Sequence, residues 1–397
     1  MIGIGEDGWD GLAATAQRLI READVVVGSE RQQALIAGQA RSVELWSSPM
    51  TPALAGLRDR HPGQQIVVLA SGDPMFYGVG ASLARVFGAD ALDVHPFPSS
   101  VSLACARLGW PQADVDVISA VGRPLSAVAR VLQPGRRVLV LVGDGGAADG
   151  LVSLLLRDGL SASRVHVLEH LGGPSERHVE GVASTWSGAP HAKLAIIALD
   201  CLRSESDAGT PLALTPGLPD AAWSSDGVLT KREVRAVTLA LLAPMPGQLL
   251  WDVGAGSGSI AVEWMRSHPS CRAVAIEVRE DRRKYIAENM ERFGVPGLKV
   301  VAGLAPQALE GLPAPDAVFI GGGVTNDGVV KSCLEALRPG GRLVANGVTI
   351  ETETELAGWQ QRVGGELSRI TVSHAAGLGT FTAFRPALTV TQWSYTK

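Results

Sequence analysis

The chain has 397 residues, of which 46% are hydrophobic, 19% charged and 5% aromatic. That is the make-up of an ordinary globular protein, and it excludes a disordered or fibrous one. At about 100–200 residues per domain the length suits two domains and rules out a single small binding module. Thirty-five Lys and Arg against forty Asp and Glu leave a net charge of −5, so no overall basic field draws in nucleic acid or anionic lipid. Cys105, Cys201, Cys271 and Cys333 form no CxxC pair. This spacing excludes a disulfide scaffold or zinc ribbon and reads as the reduced thiols of a cytoplasmic protein. The acidic start Met1-Ile2-Gly3-Ile4-Gly5-Glu6-Asp7 lacks the basic region of a secretory signal. No uncharged apolar stretch approaches the roughly 18 residues of a membrane span, so neither membrane nor nucleic-acid partners are expected.

To about residue 200, short β-branched runs alternate with amphipathic segments. Strands are expected at Val25–Val27, Ile66–Ala70, Val117–Ser119, Val138–Val142, Val165–Leu168 and Leu194–Leu199. Helices are expected at Leu12–Arg21, Ala81–Phe87, Ser126–Leu132 and Leu151–Arg157. Periodicity then fails between Arg203 and Asp220, where Ser204, Ser206, Gly209, Pro211, Pro216, Gly217 and Pro219 crowd together. A linker over 204–220 therefore divides a first domain, 1–203, from a second, 221–397. In the second domain a helix over Lys231–Leu242 leads into strands at Leu249–Val253, Ala273–Glu277, Lys299–Ala302, Ala317–Ile320 and Arg342–Asn346. Helices at Ile260–Ser267, Asp281–Phe293, Asp327–Leu337 and Glu353–Val363 alternate with them, the outline of a doubly wound parallel sheet. Leu367–His374 and Thr382–Val390 read as a terminal strand pair. The fold class is α/β in both halves.

The run Leu249-Leu250-Trp251-Asp252-Val253-Gly254-Ala255-Gly256-Ser257-Gly258 joins an apolar strand to a helix through glycine at every second position. Such a loop brings backbone close to a ligand at the strand ends of an α/β sheet. The next strand ends in Glu277, nineteen residues after Gly258, where a carboxylate accepts hydrogen bonds from ribose hydroxyls. A dinucleotide fits less well than a sulfonium cofactor. The third glycine falls one place early for GxGxxG, and Asp252 repels a pyrophosphate but favours a cation. A ligand-free glycine turn is the plainer alternative. Thr230 with Glu233 also reads as a helix-capping box.

The segment resembles the class I S-adenosylmethionine-dependent methyltransferases. With Gly227-Val228-Leu229-Thr230-Lys231-Arg232-Glu233-Val234-Arg235 upstream and Phe319-Ile320-Gly321-Gly322-Gly323 downstream, it is similar to the precorrin C15-methyltransferase (decarboxylating) family. The resemblance implies that Thr230, Gly254, Ala255, Gly256, Ser257, Gly258, Glu277, Gly303, Leu304 and Ala305 line a methyl-donor site.

In the first half, Ala70-Ser71-Gly72-Asp73-Pro74-Met75-Phe76-Tyr77-Gly78 follows an apolar strand, and Pro98-Ser99-Ser100-Val101-Ser102 opens a helix. Taken blindly these are Gly/Pro turns. With Gly3-Ile4-Gly5 and Ala23-Asp24-Val25-Val26-Val27-Gly28-Ser29, they resemble the tetrapyrrole methyltransferases, a class III fold of two α/β subdomains. The resemblance implies a second donor site at Ser71, Gly72, Asp73, Tyr77, Ser99 and Ser100. Many members have glycine-proline-glycine-aspartate where this chain has Gly5-Glu6-Asp7-Gly8.

Leu103-Ala104-Cys105-Ala106-Arg107-Leu108-Gly109-Trp110-Pro111 and Gly122-Arg123-Pro124 extend the likeness to bifunctional cobalamin-pathway methyltransferases. These are implied to use S-adenosylmethionine at two sites, methylating a precorrin at C5 and at C15 with loss of the ring C acetate carboxyl. The cobalt-containing substrates of the anaerobic route are an alternative. A nucleic-acid methyltransferase is a remoter one, since Phe319-Ile320-Gly321-Gly322 replaces the Asp/Asn-Pro-Pro-aromatic motif. The polycarboxylate substrate calls for cations, with Arg123, Arg232 and Arg235 as cleft candidates and Gly321 and Gly322 as the flat approach for the ring. The relatives imply a homo-oligomer. No metal is expected, because His166 and His170 do not share a face in an extended strand and turn.

Overall fold

The computed structural model describes residues 1–47, 50–188, 190–208 and 212–397. Gly209 and Pro211 of the expected linker lie outside them. Two compact units separate, Met1–Leu125 with Val131–Thr210 and Ser126–Arg130 with Pro211–Lys397.

The first unit begins with a small parallel sheet of β1 (Ile2–Ile4), β2 (Val25–Gly28), β3 (Val43–Leu45) and β4 (Ile66–Ser71) in the order β1-β4-β2-β3. Its central strands are continuous buried runs, Val-Val-Val-Gly and Val-Val-Leu-Ala, because helices cover both faces of a parallel sheet. Those helices are α1 (Ala14–Glu22), α2 (Glu30–Ile36), α3 (Met50–Ala55), α4 (Leu57–Arg60) and α5 (Gly80–Phe87). Ser29 starts α2 with a capping box closed by Gln32.

After α6 (Ser100–Leu108) comes a second sheet. It contains β5 (Val115–Ser119), β6 (Arg137–Val142), β7 (Arg164–Glu169), β8 (Arg177–Val182) and β9 (Ala195–Asp200), ordered β5-β6-β9-β7-β8, with α7 (Ala147–Arg157) between β6 and β7. Only β5 and β6 run parallel. The helix expected over Ser126–Leu132 is a 3-10 helix, Leu125–Val131.

The second unit opens with α8 (Arg232–Leu242). It continues through β10 (Leu249–Val253), α9 (Ser259–Ser267), β11 (Arg272–Glu277), α10 (Glu280–Arg292), β12 (Lys299–Ala302), β13 (Ala317–Ile320), α11 (Val329–Ala336), β14 (Arg342–Gly347) and α12 (Ile350–Val363). It closes with β15 (Glu366–Ile370), β16 (Ser373–Leu378), β17 (Phe381–Pro386) and β18 (Val390–Thr396). The large sheet runs β12-β11-β10-β13-β14-β18-β15 and is parallel except at β18, which opposes both of its neighbours. The expected terminal pair is therefore two pairings. β15 and β18 extend the main sheet, while β16 and β17 form a separate hairpin.

Polar residues disguise β18 in the sequence. Thr391 and Gln392 are buried beside Trp393, and the Gln392 Nε2 donates to Thr238 Oγ1 at 2.9 Å and Asn346 Oδ1 at 2.8 Å. Trp393 is fully buried, donates from Nε1 to the Gly364 carbonyl at 3.0 Å and stacks on Tyr395. Among the described residues no helix is long and apolar enough to cross a membrane. All four cysteines are buried and unpaired. Burial raises each thiol above its ordinary range, those of Cys201 and Cys333 to about 12.

Trp393→Ala empties a core position and removes a buried hydrogen bond. It should destabilise the protein by about 3–5 kcal/mol, visible as a lower urea midpoint for the transition that disrupts the large sheet.

Candidate active sites

In the second unit all five residues of β10 are buried, and its carboxyl end opens into the glycine loop. Gly254 has φ +70°, and a Cβ there would lie 2.8 Å from the Gly322 nitrogen. The loops leaving β10 and β13 thus touch backbone to backbone, which only glycine at that φ permits. The amides of Gly254 and Ala255 both donate to the Ile276 carbonyl at 3.0 Å, fastening the loop to the end of β11.

Glu277 ends β11 and is 4% exposed. Its Oε2 accepts from the Gly256 amide at 2.8 Å and its Oε1 from the Arg279 amide at 2.9 Å. Both oxygens are held by backbone donors, and each keeps acceptor capacity for a hydroxyl pair. A cleft opens here, lined by Gly254, Glu277, Gly303, Leu304, Ala305 and Gly322 among others.

Ala255, Gly256, Ser257 and Gly258 do not line this cleft. They set the loop's shape through the Gly256–Glu277 bond, a Gly258 amide donating to the Ala255 carbonyl, and a Ser257 carbonyl accepting from Asn289 Nδ2.

A second, larger cleft meets the first at Gly321, which lines both. Its walls include Asp220, Val228, Thr230, Lys231, Asn346 and His374. Thr230 therefore belongs to this neighbouring space. It makes no capping box, since α8 starts at Arg232 with Lys231 at its N-cap and no side-chain cap. Lys231 is exposed, and its Nζ donates to the Gly227 carbonyl at 3.2 Å.

Arg235, expected at the cleft, is fully buried instead. Its Nε donates to Glu263 Oε1 at 2.6 Å, and its other nitrogens to Asp220 and to the carbonyls of Thr230 and Leu218. Glu263 also accepts from the amides of Gly217 and Leu218 at 2.6 and 3.0 Å. This network pins the segment that forms the rim of the larger cleft, so Arg235 shapes the site without facing it. Arg232 is exposed on the first residue of α8 and lines neither cleft.

Asp252 is likewise a correction. It is 1% exposed and does not line the donor cleft; its Oδ2 accepts the Ala261 amide at 3.0 Å, at the start of α9. Oδ1 has no hydrogen-bond partner. Burial pushes its carboxyl up to about 7, opposed by the Ala261 amide and reinforced by the Glu277 charge. The acid that lines the cleft is Glu277.

The first unit holds a cleft between its two sheets, lined by Gly5, Ser71, Gly72 and Ser100 and by Leu141 and Ile196. Gly72 has φ +60°, and a Cβ would meet Ser99 Cα at 3.1 Å, so the Ser-Gly-Asp loop crosses the start of α6 at backbone contact. The other expected residues do not line this cleft and are held by hydrogen bonds. Ser99 Oγ accepts from the Ser102 amide, Asp73 Oδ1 from the Met75 amide, and the Tyr77 hydroxyl donates to the Val117 carbonyl. Arg123 is exposed in the turn after β5 and does not line this cleft.

Three cleft residues were not anticipated. Glu6 pairs with Arg31 and its Oε2 accepts from His170 Nδ1 at 3.1 Å, while Arg31 donates to Ser71 Oγ at 2.6 Å. His170 sits at φ +49°, a conformation that side chains rarely adopt. The sole sequence signal was Glu6 itself, in the loop that departs from the glycine-proline-glycine-aspartate pattern.

Two α/β units, each with a cleft at its strand ends, define a pair of small-molecule methyltransferase folds. Residues 1–186 match the tetrapyrrole (corrin/porphyrin) methylases and residues 221–397 the precorrin methyltransferase domain. A precorrin-6Y C(5,15)-methyltransferase (decarboxylating) from Sinorhizobium sp is 47% identical over 100% of this chain and 96% of its own. That of Mycobacterium tuberculosis is 45% identical over 100% and 99%. The crystal structure of the C-terminal domain of the Rhodobacter capsulatus protein is 44% identical, covers 47% of this chain and 100% of its own, and superposes with a TM-score of 0.45. The chain belongs to the precorrin-6Y C(5,15)-methyltransferase (decarboxylating) family.

Between its ordinary pKa and about 7, buried Asp252 keeps a proton that the unfolded chain has released, so it draws native stability down as pH rises through that window. Asp252→Asn keeps an acceptor for the Ala261 amide and removes this dependence. Relative to the parent, the variant should gain about 2–3 kcal/mol of unfolding free energy between pH 5 and pH 8, read by urea titration at each pH. Parallel curves would show that Asp252 titrates normally.

Proposed function

We propose that the chain carries two S-adenosylmethionine sites, one in each unit. The first domain, 1–203, methylates a precorrin at C5. The second, 221–397, methylates C15 and releases the ring C acetate carboxyl as carbon dioxide, with 204–220 as the linker. The observation that carries this reading is the junction at Gly321, where a cleft ending in Glu277 meets a larger cleft rimmed by Lys231.

The residues fit the donor. Glu277 is fixed by two backbone amides and offers its remaining acceptor capacity to a ribose diol, while Gly254 and Gly322 form a side-chain-free wall. In the first unit Ser71, Gly72 and Ser100 would hold the second donor. When bound, S-adenosylmethionine supplies an electrophilic methyl group on a sulfonium sulfur.

The protein's part is chiefly positioning. Gly321 at the shared wall lets a flat macrocycle come close, and Val228, Leu229, Ile370 and Val372 give the larger cleft an apolar surface for its face. Lys231 supplies a charge-assisted contact for a peripheral carboxylate, the role first expected of Arg232 and Arg235. No strong base is required in the second site, because the ring nitrogens of a reduced tetrapyrrole make the meso carbon nucleophilic and the conjugated ring accepts the electrons released with carbon dioxide. In the first unit, the Glu6–His170 pair lines the cleft and would take up the proton that leaves the methylated ring.

The reading includes a cytoplasmic location, in keeping with four unpaired thiols. It also includes a homo-oligomer, in keeping with Phe381 and Phe384, 78% and 76% exposed on the β16–β17 hairpin.

Gly256 has φ +58°, so a side chain there is strained, and its Cβ would lie 3.9 Å from the carbonyl of Val228, a residue of the larger cleft's wall. Gly256→Arg should abolish carbon dioxide release and C15 methylation while the C5 product still forms, as followed by mass spectrometry with labelled donor. Undiminished decarboxylation would overturn the site, and an unchanged urea midpoint would separate blockage from unfolding. Lys231→Met should raise KM for the tetrapyrrole about tenfold and leave donor affinity unchanged, the loss of about one charge-assisted hydrogen bond. An unchanged KM would remove Lys231 from the substrate rim.

A further inference from the structure

On the first unit's second sheet, β7 and β8 pair antiparallel with His166 directly opposite Glu180 and Leu168 opposite His178. Opposed residues point to the same side of a sheet, and so do residues two apart on one strand. The side chains of His166, His178 and Glu180 therefore converge. His166 Nδ1 lies 3.1 Å from His178 Nε2 and 3.4 Å from Glu180 Oε2, and the three donor atoms all lie within 4.8 Å of one another.

A tetrahedral ion with bonds of about 2.0–2.1 Å sets its ligand atoms roughly 3.3 Å apart, which matches the two shorter edges of this triangle. We propose that His166, His178 and Glu180 form a binding site for a divalent transition metal ion, with Zn²⁺ the best fit, leaving one outward coordination position for water. Two imidazoles and one carboxylate are the donor set that borderline cations select, whereas Ca²⁺ and Mg²⁺ require oxygen.

The surroundings suit the role. His166 is 7% exposed and rests edge-on against Trp110, with ring centroids 6.0 Å apart, so one ligand is anchored in the core. His178 and Glu180 are exposed and give the ion an entry path. The ion would fasten β8, an edge strand paired only to β7, at a point far from either glycine loop in sequence. His170, four residues on, turns instead toward Glu6 and takes no part in this site.

Calorimetric titration of the chelator-treated full chain with Zn²⁺ at pH 7.5 tests the site, with Co²⁺ as a spectroscopic substitute. The expected result is one ion per chain at micromolar or tighter affinity, at least tenfold weaker in both His178→Ala and Glu180→Gln, and visible cobalt absorption that His178→Ala removes. Far-UV circular dichroism of the variants checks folding, and Glu180→Gln tests the site where a histidine variant fails to fold. Undiminished affinity in both variants, or no binding tighter than millimolar, overturns the proposal.

Discussion

The second unit depends on a steric constraint at the centre of its sheet. The order β12-β11-β10-β13-β14 winds outward in both directions from the β10–β13 boundary, the switch point at which such sheets form a crevice. The crevice survives only because Gly254 and Gly322 meet without side chains. Glu277 then braces the glycine loop from the neighbouring strand, and the amide it holds belongs to Gly256. Loop shape, acid placement and the common wall at Gly321 all follow from that one approach.

Much of this was legible in the sequence. Leu249–Val253, Lys299–Ala302 and Ala317–Ile320 are strands with those same bounds, because continuous apolar runs between turn residues have few other uses in an alternating chain. Gly254 and Glu277 were legible because a loop and the next strand end are linked locally. Arg235 was not. Its surroundings are decided by Glu263, 28 positions away, and an arginine in an amphipathic helix gives no sign of being paired inside. Glu6 and His170 are 164 positions apart. β8 and β18 were hidden by polar residues that hydrogen bonds or neighbouring strands accommodate.

The two units distribute charge differently around their clefts. In the first, acid, base and cation are gathered into one chain of contacts, with Glu6 between Arg31 and His170 and Ser71 beyond. In the second, the acid and the cation stand apart, Glu277 in one cleft and Lys231 in the next. The buried Arg235–Glu263 pair adds to neither. Such a pair is weak as a source of net stability but costly to break, which suits the task of fixing a cleft rim.

The seclusion of the thiols has a practical consequence. Cys105, Cys201, Cys271 and Cys333 are shielded from solvent, and burial disfavours the thiolate form that maleimides and iodoacetamides attack. A cysteine introduced at an exposed position would be the fast-reacting one on the native chain. Fluorophores or spin labels can therefore be attached at chosen points on either unit without first stripping the natural sulfhydryls.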